Sequence, residues 1–232
     1  VAFCLINVGA VRMRLGEAEP PEVVVHSRLL YDAELLNPSG SLISDGQVAL
    51  RRDSEERTVL AQLVEAADVP VVTLTDGPVE LWGAKSEGEE AAEFREQLAA
   101  YKASLLELNR RGAIAAGYVD KPSANLVVRL LEVAMTPENE LPEIRQLHPL
   151  LGATDRDLYE DRLQPGDRSA IFVMQSQSAR MYEGELEVHF FYLNVGRAGK
   201  PWLARVEVPA WVARSPAQLD VLHAVLVDQC RV

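Results

Sequence analysis

Cysteine is nearly absent: Cys4 and Cys230 stand at opposite ends of 232 residues. Two such residues make neither a disulfide framework nor a zinc cluster, and they point to a reducing compartment, the cytoplasm. No apolar run approaches the roughly 18 to 20 residues that span a bilayer. The opening Val1-Ala2-Phe3-Cys4-Leu5-Ile6-Asn7-Val8 lacks the basic start and small-residue cleavage site of a signal peptide. Internal repeats and low-complexity linkers are missing as well. Basic residues are outnumbered: 23 Lys and Arg against 35 Asp and Glu, for a net charge of −12. That argues against a protein that coats nucleic acid with clustered cations. It leaves room for an enzyme that grips phosphate through metal ions held by carboxylates.

What is present is an ordinary folding composition, 48% hydrophobic and 25% charged. Such a length fits one large domain or two small ones. The first residue is Val, and the chain stops inside a helical pattern at Asp228-Gln229-Cys230-Arg231-Val232. The expectation is a piece of a longer protein, incomplete at both ends.

Alternation around Gly9 predicts strand, turn, strand over residues 2 to 15, and Val23 to Tyr31 reads as a further strand. A helix is expected from about Ser44 to Ala67, with Leu60, Leu63, Val64 and Ala67 inward. Val69 to Thr75 is a short β-branched run suited to a strand buried on both faces, closed by the turn Asp76-Gly77-Pro78. A long helix follows, about Gly88 to Arg111, with Phe94, Leu98, Tyr101, Leu105 and Leu108 as its stripe and Gly112 as its stop. Ala113 to Val119 is a second buried strand. Strand, long helix, strand is a βαβ crossover, so the two strands should be parallel. Ala124 to Met135 reads as a helix with Leu126, Leu130, Val133 and Ala134 inward. Strand-like runs at 169–175, 186–195 and 202–208, a hairpin loop at 196–201 and a helix from Pro216 to Cys230 complete a single α/β domain with a mixed sheet.

Polar groups converge in this scheme. Glu56 lies four residues before Leu60, on the expected inward stripe, where a carboxylate needs a partner. About eleven helical residues cover roughly 17 Å and seven strand residues roughly 23 Å, so Asp76 returns toward the end of the domain that holds Glu56. The parallel strand delivers Tyr118, Asp120 and Lys121 to the same carboxyl edge, where α/β proteins place their sites. A helix N-terminus at Ser123 would join them. Carboxylates suit Mg²⁺ or Mn²⁺, and Lys121 suits a phosphate. Arg51, Arg52 and Arg57 flank Glu56 and could meet DNA. Two readings stay open: Asp-Gly-Pro is also an ordinary turn that Asp76 would merely cap, and Glu55 competes with Glu56 for the inward position. The four histidines read as structural. Tyr182 and Tyr192 could stack on a base but read first as packed strand residues, Trp202 and Trp211 as core or dimer-contact residues, and Arg205 with Glu207 as an exposed pair, with Glu207 a remote candidate for an extra ligand.

Five stretches carry a resemblance. Val71-Val72-Thr73-Leu74-Thr75-Asp76-Gly77-Pro78 and Gly112-Ala113-Ile114-Ala115-Ala116-Gly117-Tyr118-Val119-Asp120-Lys121-Pro122, separated by the long helix, resemble the NurA family of DNA-repair nucleases. So do Gly166 to Ala170, Phe190 to Val195 and Ala204 to Pro209, with the bacterial branch the more similar. The resemblance spans nearly the whole chain, a NurA-like domain over residues 1–232, and rests on order and spacing, since no single motif is diagnostic.

It implies an RNase H-like mixed sheet flanked by helices. It implies a metal-dependent nuclease, usually with Mn²⁺, acting on DNA as a 5′ to 3′ exonuclease and single-strand endonuclease. It further implies double-strand-break end resection alongside a HerA-type hexameric ATPase, and a homodimer. The family's helix Glu corresponds to Glu56, its Asp-Gly motif to Asp76, and its YVxK stretch to Tyr118 through Lys121. Glu56, Asp76 and Lys121 are thus the expected catalytic set, Glu56 and Asp76 the metal ligands, and Tyr118, Lys121, Arg52 and Arg57 the DNA contacts. The family's first Asp, in an Asp-Gly-Ser segment, and a His near its C-terminus are expected outside residues 1–232, so the chain alone is expected to be a defective nuclease. A non-catalytic scaffold on the ATPase, and an RNase H-like enzyme acting on RNA, are the competing readings.

Overall fold

The computed structural model describes residues 2–64, 69–83, 88–144 and 146–230. The chain forms two compact units: residues 1–73, 80–115 and 175–187 in the first, and 74–79, 116–174 and 188–232 in the second.

The first unit opens with β1 (Phe3–Arg12) paired antiparallel to β2 (Glu22–Tyr31), in a register that runs from Phe3 opposite Tyr31 to Arg12 opposite Glu22. The strand–turn–strand expected around Gly9 is therefore one unbroken strand, because Gly9 sits mid-ladder opposite Val25. Period-two alternation puts Cys4, Ile6, Val8 and Ala10 on one face, where Ile6, Val8, Leu30, Leu35 and Val59 form a core. Helix α1 (Asp45–Leu63) starts at a capping box: the Ser44 side chain accepts from the Gln47 N–H, and Gln47 answers at the Ser44 N–H.

The buried line of α1 is Leu50, Ser54, Arg57 and Ala61, not the expected one; Leu60 and Leu63 are only half-buried, although Val64 is buried, and Ala67 lies outside the described residues. Arg57 occupies the line because its guanidinium lies 5.2 Å over the Tyr101 ring of α2 (Glu89–Arg110). A pattern of apolar residues does not announce a buried arginine. In α2 the whole expected stripe, Phe94 to Leu108, is buried. Arg111 then donates to the carbonyl oxygens of Val64 and Ala61, satisfying the end of α1.

β3 (Val72–Asp76) and β4 (Ile114–Asp120) begin in the first unit and end in the second. The Ile114 N–H donates to Val71 and the Gly77 N–H to Tyr118, so both strands rise together and are parallel, as the crossover required. The sheet order is β3-β4-β7-β6-β5, with β5 at Phe172–Val173, β6 at Val188–Asn194 and β7 at Leu203–Pro209. The β4/β7, β6/β7 and β5/β6 pairs are antiparallel. The expected mixed sheet with flanking helices is thus present, consistent with an RNase H-like arrangement.

Helix α3 (Leu126–Met135) buries Val127, Val128 and Glu132 and exposes Leu130 and Val133, the reverse of expectation. Polar anchors set its rotation. Asp155, which opens the short α4 (Asp155–Tyr159), accepts from the N–H groups of Val127 and Val128 and from the Tyr192 hydroxyl at 2.6 Å. Glu132 accepts from Arg129 and from the Leu150 N–H. Burial opposes ionisation of Glu132, yet these donors prevail and hold its carboxyl below the usual range. α5 (Ala210–Ala213) packs on β6 and β7, and α6 (Pro216–Gln229) ends the described chain. No helix among the described residues is long and apolar enough to cross a membrane.

Candidate active site

Asp76 is the last residue of β3, exposed, and followed by Gly77 at φ +105°, a conformation that favours glycine. Three features hold this turn. The Gly77 N–H donates to the Tyr118 carbonyl of β4 at 2.8 Å. A Cβ on Gly117 would lie 2.6 Å from the Gly77 oxygen and 2.7 Å from the Val79 nitrogen, so the turn crosses β4 only because residue 117 is glycine. Lastly, the Val79 N–H donates to the Glu207 carboxylate at 3.0 Å.

Glu207 and Arg205 were expected to form an exposed pair. Glu207 is buried instead and Arg205 half-buried, with Arg205 Nε 3.0 Å from Glu207 Oε1 and the Glu207 side chain 1% exposed. Register explains the difference: Glu207 lies opposite Gly117, the residue without a side chain, so its carboxylate reaches the backbone of the turn. The strand pattern alone showed two charges on one face and gave no sign of this. A Gly117→Ala substitution is expected to push the turn aside. It should lower stability by about 1–3 kcal/mol and cut any activity that depends on Asp76 by about a hundredfold. Thermal melts and a cleavage assay on the same preparation measure both, and an unchanged melt would show that the turn adapts freely.

Tyr118 and Lys121 belong to the same unit as Asp76. The Tyr118 hydroxyl is 3.8 Å from Cys230 Sγ. Burial, then the Cys230 thiol and the Asp120 carboxylate, push it above the usual phenol range, so it stays protonated and able to donate. Lys121 is exposed and takes φ +47°, a left-handed conformation rare outside glycine. Its ammonium lies 4.4 Å over the Trp202 ring, and the Trp202 indole N–H donates to Asp120 at 2.7 Å.

The helix N-terminus expected at Ser123 does not join this edge as an open anion site. α3 starts at Leu126, and Asp155 occupies its N–H groups.

Glu56 lies in the first unit, half-buried on α1 and engaged in an interaction of its own. Its neighbour Glu55 reaches Arg28 at 3.8 Å. Arg52 is exposed and bonds Asp53, whereas Arg57 is buried over Tyr101. The histidines whose contacts are visible serve structure: His223 bonds the Gly166 carbonyl and Arg168, and His148 bonds Arg129. Tyr182 and Tyr192 are buried, and so is Trp211, but Trp202 is 43% exposed and does not fill the core.

The donors present match a hard divalent cation in kind, since Asp76 and Glu56 offer carboxylate oxygen. Among the described residues, no group of three or more His, Cys, Asp or Glu side chains gathers to hold an ion.

No curated protein and no solved structure matches the chain. The family model for the NurA domain matches residues 1–230. That match spans almost the entire chain, and the chain belongs to the NurA family, a family of nucleases that act on DNA with the help of metal ions.

Proposed function

We propose that this protein is a Mn²⁺- or Mg²⁺-dependent DNA nuclease, a 5′ to 3′ exonuclease and single-strand endonuclease. In this reading it acts in double-strand-break end resection with a HerA-type hexameric ATPase, as a cytoplasmic homodimer. The observation that carries it is the exposed Asp76 carboxylate on a turn pinned by Gly117 and Glu207, in a chain of a nuclease family.

Asp76 is the proposed metal ligand of the second unit, and Glu56, in the first, is the further carboxylate that the family resemblance assigns. A divalent ion so bound supplies a water of lowered pKa and neutralises charge on the scissile phosphate. Lys121 contributes a fixed positive charge on a flexible stem, suited to an adjacent phosphate. The protonated Tyr118 hydroxyl is a donor for phosphate oxygen. Arg52 reaches solvent from α1 and suits the DNA backbone. Arg57, buried against Tyr101, supports α1 from within.

The competing reading is a non-catalytic scaffold on the ATPase. The test incubates the full-length protein with end-labelled single- and double-stranded DNA and with RNA, with Mn²⁺ or with EDTA. DNA cleavage that requires the metal is the expected result. A folded protein that cleaves nothing, with or without the ATPase, would establish the scaffold.

A further inference from the structure

One feature of the second unit is not used by the metal chemistry. Trp202 stands at the exit of the β6–β7 hairpin, 43% exposed, in a chain whose other large aromatics of that unit are mostly buried. It is held in place from three sides. Its indole N–H is tied to Asp120, its backbone N–H donates to the Asn194 side chain at 3.1 Å, and its carbonyl accepts from the Val195 N–H at 2.9 Å. The loop leading to it is tight: Arg197 and Lys200 exchange backbone bonds, and a Cβ on Gly196 would lie 2.3 Å from the Lys200 oxygen. An exposed indole with this many constraints is a presented surface.

Apart from Asp120, which holds the indole N–H, the charged groups around it are cations. Between Val195 and Ala204 the sequence holds Arg197 and Lys200 and no acid, within a protein of net charge −12. Both cations are exposed, and neither pairs with a carboxylate among the described residues. Lys121 brings a third cation, over one face of the indole, so a stacking base takes the opposite face. An oriented aromatic ring amid cations is the chemistry that receives single-stranded nucleic acid, because a base stacks on the ring while its phosphates meet the cations. A duplex keeps its base faces stacked inside except at its two ends, so it makes far less use of the ring.

We propose that Trp202 is a base-stacking platform that takes one unpaired nucleotide of single-stranded DNA and sets its phosphate beside Lys121. This rests on the nuclease reading above, for which it names the substrate form that is gripped: an unpaired strand.

Binding is measured by fluorescence anisotropy on the full-length protein in EDTA, so that the outcome does not depend on cleavage. Failure of the nuclease reading would appear separately, as no metal-dependent cleavage. The probes are a labelled oligothymidine of about 15 nucleotides, an abasic oligomer of equal length and a blunt duplex. Wild type is expected to bind the oligothymidine about tenfold more tightly than the abasic strand. Trp202→Ala should remove that preference and change duplex binding less than about twofold, while Trp202→Phe should keep most of the preference. Equal wild-type affinity for both single strands overturns the proposal, and so does an undiminished preference in Trp202→Ala. Should Trp202→Ala fail to fold by circular dichroism, the wild-type comparison and the Phe variant decide.

Discussion

Asp76→Ala is expected to reduce metal-dependent DNA cleavage by at least about a thousandfold. A ligand that places a divalent ion on phosphate is worth several kcal/mol of transition-state stabilisation, and each 1.36 kcal/mol is about tenfold in rate. The fold should hardly notice. Asp76 is exposed, and the turn is fixed by the Gly77–Tyr118 bond, by Gly117 and by Glu207, not by the Asp76 carboxylate. Exposed substitutions of this kind change stability by within about 0.5 kcal/mol. The competing reading, in which Asp76 only caps its own turn, makes the opposite forecast: a lower melting temperature and intact cleavage. Cleavage kinetics and a thermal melt on one preparation separate the two. Glu56→Ala is expected to lose cleavage in the same way.

The largest expected effect on stability belongs to Glu207→Ala. Glu207 is 1% exposed, pairs with Arg205 and satisfies the Val79 N–H. Removing one partner of a buried pair leaves an uncompensated charge and costs about 3–5 kcal/mol. For a chain of this size that is a fall in melting temperature of roughly 10 °C or more. Replacing both partners by Leu should recover much of the loss, because a buried pair contributes little over apolar packing and its harm comes from being broken. The Glu207→Ala turn, freed at Val79, should also lose activity beyond what the melt explains. A loss under about 1 kcal/mol, the worth of an exposed pair, would contradict the buried geometry.

Much of the architecture was legible in the residues. The α2 stripe from Phe94 to Leu108, the Gly112 stop, the parallel β3–β4 pair and the β6–β7 hairpin followed from periodicity and turn chemistry, which act within a few residues. The order and spacing of the Asp-Gly and YVxK stretches also carried the family. The misreadings share one cause. The inward faces of α1 and α3 were assigned to leucines and valines, whereas Arg57, Glu132 and Asp155 are buried. Trp202, read as a core or dimer residue, is 43% exposed and does not fill the core.

Local pattern by itself therefore determined most of the helices and strands, their order, and where Asp76 and Lys121 fall at the ends of their strands. Which charges are buried was decided by tertiary structure alone. A buried charge is stable only beside its partner, and the partners are remote in the chain: Asp155 meets the Val128 N–H from 27 residues away, and Glu207 meets the Val79 N–H from 128. Spacing within one element holds no record of such a pairing, because it comes into being only when the strands and helices pack.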